Sequence, residues 1–106
     1  MEQNFEVVHH VFFWLKDKKS KEDKEALING IMELGTIEEV KAIHVGIPAD
    51  TEQRGVVDGS FSVTEMLIFD NEEDEAIYQS HPVHKKFIEK CEHLWEKVLV
   101  YDSRQV

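Results

Sequence analysis

Six histidines stand in this chain, and their neighbours sort them by the chemistry they can do. His84 recurs with Phe87, Ile88 and Cys91 at three- or four-residue spacing, which places it on the apolar stripe of a helix. An imidazole there is partly desolvated; that favours the neutral form and suits a general base, the structural alternative being a core ring that closes one hydrogen bond. Tyr78 precedes His84 with Pro82 between them, a turn that lets both side chains converge on one cavity. A phenol so placed can donate to a carbonyl oxygen and stabilise a developing enolate, or simply pack a helix end. His9 and His10 are adjacent in a strand-like run, so they point to opposite faces.

The remaining histidines read differently. His81 sits immediately before Pro82, an N-cap neighbourhood, so capping is the expected role. His44 receives no role, and His93 with Glu92 is expected on an exposed helix side. His81 and His84 have the i, i+3 spacing of metal ligands, but Pro82 lies between them and no His-Glu-x-x-His cluster occurs. No metal ligands are assigned. The glycines at 30, 35, 46, 55 and 59 form no phosphate-cradling loop, so no nucleotide or other cofactor is assigned either. Cys91 is the single cysteine, which excludes an intrachain disulfide; its place in the helical stripe predicts a buried, inert thiol.

These side chains must be held by a small set of elements. Residues 6–15 form a β-branched and aromatic run closed by Asp17 and Lys18. Both of its faces are apolar, which predicts a central strand covered on two sides. Ser20 begins a capping sequence for a helix over 20–34, with Ala26, Leu27, Ile31 and Leu34 at helical spacing and Gly35 at a left-handed C-cap position. Gly30 inside that helix costs about 1 kcal/mol against alanine, and close packing on a strand would explain it. Residues 40–47 predict a second strand and 60–69 a third, with Phe61, Val63, Leu67 and Phe69 on one face; between them runs a long connection containing Pro48, Gly55 and Gly59. Asp70 and Asn71 cap a short helix ending near Gln79. Pro82 starts a last helix carrying the stripe through Leu94 and Trp95, and residues 98–101 close the fold as a fourth strand. The order is β-α-β-β-α(α)-β, an α+β, ferredoxin-like pattern with a four-stranded antiparallel sheet in a single domain over 1–106.

Charge and length exclude several roles. The formal net charge of -10 repels a phosphate backbone, so nucleic acid is not an expected partner. Lys16, Lys18, Lys19, Lys21 and Lys24 form a local basic run, read as a solvated turn and helix start, with an anion site as the minor option. No window reaches the ~18–20 apolar residues that span a bilayer. Met1-Glu2-Gln3-Asn4 lacks a basic leader, so a cytoplasmic address is expected. A chain of 106 residues buries a modest core, and covering the sheet's second face with another copy would add to it.

Three segments resemble the stress-responsive A/B barrel (Dabb) family. They are the opening strand His9-His10-Val11-Phe12-Phe13-Trp14-Leu15, the element Tyr78-Gln79-Ser80-His81-Pro82-Val83-His84, and the closing segment Leu94-Trp95-Glu96-Lys97-Val98-Leu99-Val100-Tyr101-Asp102. The resemblance implies a homodimer in which two four-stranded sheets pair face to face as a dimeric α/β barrel. A polyketide cyclase of that family closes a linear thioester by aldol condensation with a His and a Tyr that fall on His84 and Tyr78, and a further pocket His falls on His9. That enzyme places aromatic residues in helix one where this chain has Leu27, Ile28 and Ile31, so its substrate does not transfer. Two functions follow as expectations. The first is a small-molecule-binding dimer with cofactor-independent lyase or cyclase chemistry on an apolar carbonyl ligand, carried by His84, Tyr78 and His9. The second is a non-enzymatic, stress-related dimer or scaffold with a packed interior.

Overall fold

The computed structural model describes residues 5–106, so the leader reading at Met1–Asn4 lies outside the described residues. Nine residues, Val7–Leu15, form β1, with strict alternation of buried and half-buried side chains. After a turn in which Asp17 accepts the Lys19 amide, Ser20 caps α1 (Lys21–Glu33) by accepting the Asp23 amide at 3.0 Å. Strands β2 (Ala42–Gly46) and β3 (Val63–Phe69) follow, then α2 (Glu72–Ser80), α3 (Pro82–Cys91) and β4 (Trp95–Arg104). The four strands form one antiparallel sheet in the order β2-β3-β1-β4, which is the ferredoxin-like arrangement. β1 lies inside the sheet, flanked by β3 and β4.

One face of the sheet carries the helices. Val7, Val11, Phe13 and Leu15 of β1 and Val63, Leu67 and Phe69 of β3 meet Leu27, Ile31, Tyr78, Phe87 and Cys91 there. The other face carries Val8, His10, Phe12 and Trp14, with Leu99 and Tyr101 beside them on β4. The connection between β2 and β3 reaches one end of this face. Phe61 packs edge-on against Phe12 at 5.3 Å, and Trp14 donates to the Ser60 hydroxyl. The rest of the face stays open, with Tyr101 60% exposed.

Several boundaries differ from the sequence reading. Gly35 is not a left-handed cap, since no glycine among the described residues has positive φ; α1 instead tightens into a 3-10 turn over Leu34–Thr36. The last helix stops at Cys91, and a second 3-10 turn turns the chain so that Trp95 already lies in β4. β4 extends beyond 98–101 at both ends because β1 offers partners from Val7 to Leu15. Phe61 belongs to the open face and not to the Val63 face, because the chain becomes a regular strand only at Val63.

Gly30 has a reason, but it is a helix and not a strand. A Cβ at this position would stand 2.7 Å from Cys91 Sγ and 3.2 Å from Phe87, so the missing side chain is what lets α1 approach α3. Replacing Gly30 by alanine gains about 1 kcal/mol of helix propensity but incurs an overpacking cost of about 1–3 kcal/mol. Chemical denaturation is expected to find Gly30→Ala destabilised by roughly 1 kcal/mol. The double variant Gly30→Ala/Cys91→Ala should recover part of that loss, because the thiol is the closest obstacle.

Candidate functional site

A cavity of about 200 Å³ lies between the helix face of the sheet and the α2–α3 corner. His9, Tyr78 and His84 all line it, together with Glu65 and an apolar wall that includes Phe13, Phe87, Trp95 and Val98. Leu27 and Ile31 are fully buried in the core next to it and do not fill it. Phe87 forms part of the wall and leaves the space free. No lysine or arginine is among the lining residues.

The three expected residues reach the cavity by different routes. His9 is on β1, and alternation turns it toward the helices, where it is 5% exposed. Tyr78 sits in the last turn of α2 and is 1% exposed. The break at His81 then lets α3 start in a new direction. His81 caps that helix by accepting the Val83 amide at 3.1 Å, with Pro82 at the first position, so its expected capping role is what the structure shows. His84, one turn into α3, therefore folds back over Tyr78. Their ring centroids are 4.3 Å apart at 30°, and the His9 ring stands edge-on to Tyr78 at 5.7 Å.

The protonation of His84 follows from its one polar contact. Its Nδ1 lies 3.2 Å from the Gln79 carbonyl oxygen, which can only accept. Nδ1 therefore carries the hydrogen, and Nε2 is left with its lone pair. Burial lowers the pKa of this imidazole below its ordinary value; the Gln79 carbonyl opposes that shift and His9 adds to it. The ring is a neutral base.

His9 is held at its other edge. Its Nδ1 is 2.6 Å from an Asp102 carboxylate oxygen, which fixes the ring's orientation. Glu75 approaches the same spot, and one ligand atom from each of His9, Glu75 and Asp102 lies within 4.8 Å of the others. Nδ1 is already committed to Asp102, so this group reads as an orienting pair with a nearby acid.

Glu65 is the residue that the sequence reading missed. It lies on β3 between Val63 and Leu67 on the helix face and is 2% exposed. A carboxyl buried in this position is pushed up to about 8 by desolvation, against a smaller opposing effect of its hydrogen bond with Tyr78. Its Oε2 is 3.8 Å from His9 Nε2, too long for a hydrogen bond. The Tyr78 phenol is raised above its ordinary range by burial first and by Glu65 second. The place of Glu65 in β3, two residues from Val63 and from Leu67, carries the signal that finds it: an acid occupies an apolar-face position.

The other histidines stay outside. His10 faces the open side, where burial and then His44 and His9 lower its pKa. His44 and His93 are exposed. Cys91 is buried and its thiol pKa is raised by burial, in keeping with an inert side chain. The lysines from 16 to 21 are exposed, and no helix among the described residues is long and apolar enough to cross a membrane.

The family model described as the stress responsive A/B barrel domain matches residues 7–105. No curated protein matches the chain. Among solved structures, an Arabidopsis thaliana protein is 32% identical over 94% of this chain and 95% of its own, with a TM-score of 0.79. The hydroxynitrile lyase of Passiflora edulis is 22% identical over 98% and 96%, with a TM-score of 0.80. A dimeric ferredoxin-like protein from Thermobifida fusca is 19% identical over 97% and 93%, with a TM-score of 0.76.

The raised Glu65 pKa has a stability consequence of definite sign. Between an ordinary 4.5 and about 8 the unfolded chain has lost this proton and the native chain has kept it. The Glu65 contribution to stability is therefore full below the lower value and falls with rising pH by up to about 1.4 kcal/mol per unit across the window. Subtracting the Glu65→Gln stability profile from that of the wild type should reveal this downward slope. A difference that stays flat over the window would mean that the native carboxyl ionises as an ordinary one does.

Proposed function

This chain belongs to the stress responsive A/B barrel domain family, and from that premise we propose that it is a homodimer with a small-molecule pocket in each subunit that abstracts a proton next to a carbonyl. The observation that carries the chemistry is the close, tilted ring pair of His84 and Tyr78, with the imidazole hydrogen tied to the Gln79 carbonyl and the Nε2 lone pair free. Nε2 takes the proton from carbon, and the electron pair of that C–H bond moves into the carbonyl to give an enolate. The Tyr78 hydroxyl donates to the enolate oxygen, the position where charge develops. His9, oriented by Asp102, steadies the Tyr78 side of the pocket.

The lining supports one ligand class. It is mostly apolar and offers no cationic side chain, so an uncharged ketone or aldehyde fits better than a carboxylate or a phosphorylated carrier. Carbon acids activated this way attack a second carbonyl in aldol-type cyclisation or release a fragment in the reverse, lyase direction. A hydroxynitrile lyase with the same fold is consistent with carbonyl chemistry on this scaffold. The open cavity also weighs against the packed interior that a purely structural dimer would have.

The dimer rests on exposed apolar area. Val98, Leu99, Val100 and Tyr101 are 44%, 36%, 44% and 60% exposed, so β4 shows apolar side chains on both faces as well as an unpaired edge. Such a surface is normally covered by a partner. A second copy set face to face over Val8, His10, Phe12 and Tyr101 closes the barrel, and the dimeric relatives support that arrangement.

Two measurements check these readings. Thermal-shift screening of uncharged ketones and aldehydes against β-keto acids and acyl thioesters should single out the uncharged class; on the turnover found, His84→Ala is expected to cost about 10²–10⁴-fold in rate. A His84→Ala protein that turns over like the wild type would remove the catalytic reading. Separately, sedimentation should find a dimer at micromolar concentration that Phe12→Lys converts to a 12.4 kDa monomer.

A further inference from the structure

Two histidines lie on the sheet face that the pocket does not use. The register sets His44 opposite Met66, Met66 opposite His10, and His10 opposite Tyr101. These four side chains form one row across β2, β3, β1 and β4. Two strand spacings, about 10 Å of sheet, separate the imidazoles. His10 packs on Phe12 with ring centroids 4.4 Å apart and is half-buried, whereas His44 is exposed. The rows on either side, through Ile68 and Val8 and through Thr64, Phe12 and Leu99, carry no ionisable side chain. A mostly apolar face thus holds two bases.

We propose that His10 and His44 form a proton-operated latch on this face: two copies stay joined while these imidazoles are neutral and separate when they are protonated. The proposal rests on the reading of this face as the dimer contact and adds how that contact is regulated.

Desolvation and the lack of a counter-charge set the sign. Sheets packed face to face lie about 10 Å apart with interdigitated side chains, so a second copy takes this face out of water. A neutral imidazole tolerates that; an imidazolium does not unless an acid meets it. Among the described residues, β3 adds no titratable group to this face. β4 adds Tyr101 and, at the far end, Lys97, whose ammonium lies 4.5 Å from the Trp14 ring centroid. Around the rim the acids are engaged. Glu6 and Asp70 pair with Lys41, Glu96 pairs with Lys18, and Asp58 accepts the Ser60 amide. No register-paired position on this face holds a carboxylate, and an identical partner brings the same set. Burial first, then His44 and His9, already hold the His10 pKa below its ordinary value in the single chain. Covering the face adds to the first of these causes.

The separate chains therefore bind protons that the dimer excludes, and by linkage the dissociation constant rises as pH falls. Overall charge works the other way. Two chains of formal net charge -10 repel each other at neutral pH, and approach to the isoelectric point of about 4.9 relieves that repulsion. Dissociation in mild acid is thus a signature of the histidines and not of net charge.

Sedimentation equilibrium of the full chain from about pH 8 to about pH 5.5, at constant ionic strength and with far-UV circular dichroism at each step, tests the latch. The expected result is a dimer at the upper end whose dissociation constant rises on acidification with the circular dichroism unchanged. One His10 proton taken up per chain gives a rise of up to about a hundredfold per pH unit. In His10→Gln/His44→Gln, uncharged at every pH, that rise should be absent. A wild-type dimer whose affinity holds or tightens in acid would overturn the latch and leave the dimer itself standing. An equal rise in the double variant, or dissociation that tracks a loss of circular dichroism, would overturn it as well. A monomer at every pH would remove the dimer, and the latch with it.

Discussion

The site depends on β1 pairing with two strands at once. Antiparallel pairing with β4 sets His9 opposite Asp102, and pairing with β3 sets Val11 opposite Glu65, a diagonal step from His9 on the same face. One strand's register therefore brings the orienting acid, the histidine and the buried acid to a common spot. A slip by one residue would turn His9 to the open side and leave both acids without it. That register is secured by burial, since Val7, Val11, Phe13 and Leu15 would move to the open side together with His9.

Against this fixed sheet, the helical part of the site is set by one interruption. His81 and Pro82 end α2 and begin α3 with no intervening loop, and the change of direction lays His84 back over Tyr78. The close approach of α1 and α3 at Gly30 keeps α3 seated on the core. Between the two halves lies a space that the hydrophobic side chains do not fill. Its polar groups are few, and both histidines are oriented by a partner: His9 by Asp102 and His84 by the Gln79 carbonyl. Groups held in this way require little rearrangement when a ligand oxygen arrives.

The two faces of the sheet serve different ends. The helix face holds the pocket, and the open face, with β4 beside it, leaves apolar area for a second copy to cover. β4 takes part in both, since Asp102 and Val98 face the pocket while Leu99 and Tyr101 face the open side. Closing the dimer would bury the open face of β4, the strand that also carries Asp102. In the proposed dimer, assembly and pocket geometry would be linked through one strand.

Much of this was legible in the chain itself. The continuous apolar run over residues 6–15, apolar on both faces, identified a central strand, and the spacing of His84, Phe87, Ile88 and Cys91 identified the face of α3 that turns inward. Ser20, Asn71 and His81 announced three helix starts, because side-chain acceptors there satisfy backbone amides left without a partner inside the helix. These are local rules, and local rules are written in order along the chain. The strand ends, the tightening at Gly35 and the extent of β4 were not legible, since they depend on how far a neighbouring strand offers hydrogen bonds. Nor was the meaning of Glu65. Its alternation phase lay in the sequence, but its surroundings are built by Val11, Val45, Tyr78 and His9, which come from three other elements. Sequence determined which side chains turn inward; only the tertiary structure decided which of them meet, because desolvation and hydrogen-bond direction are properties of a surrounding that distant segments build together.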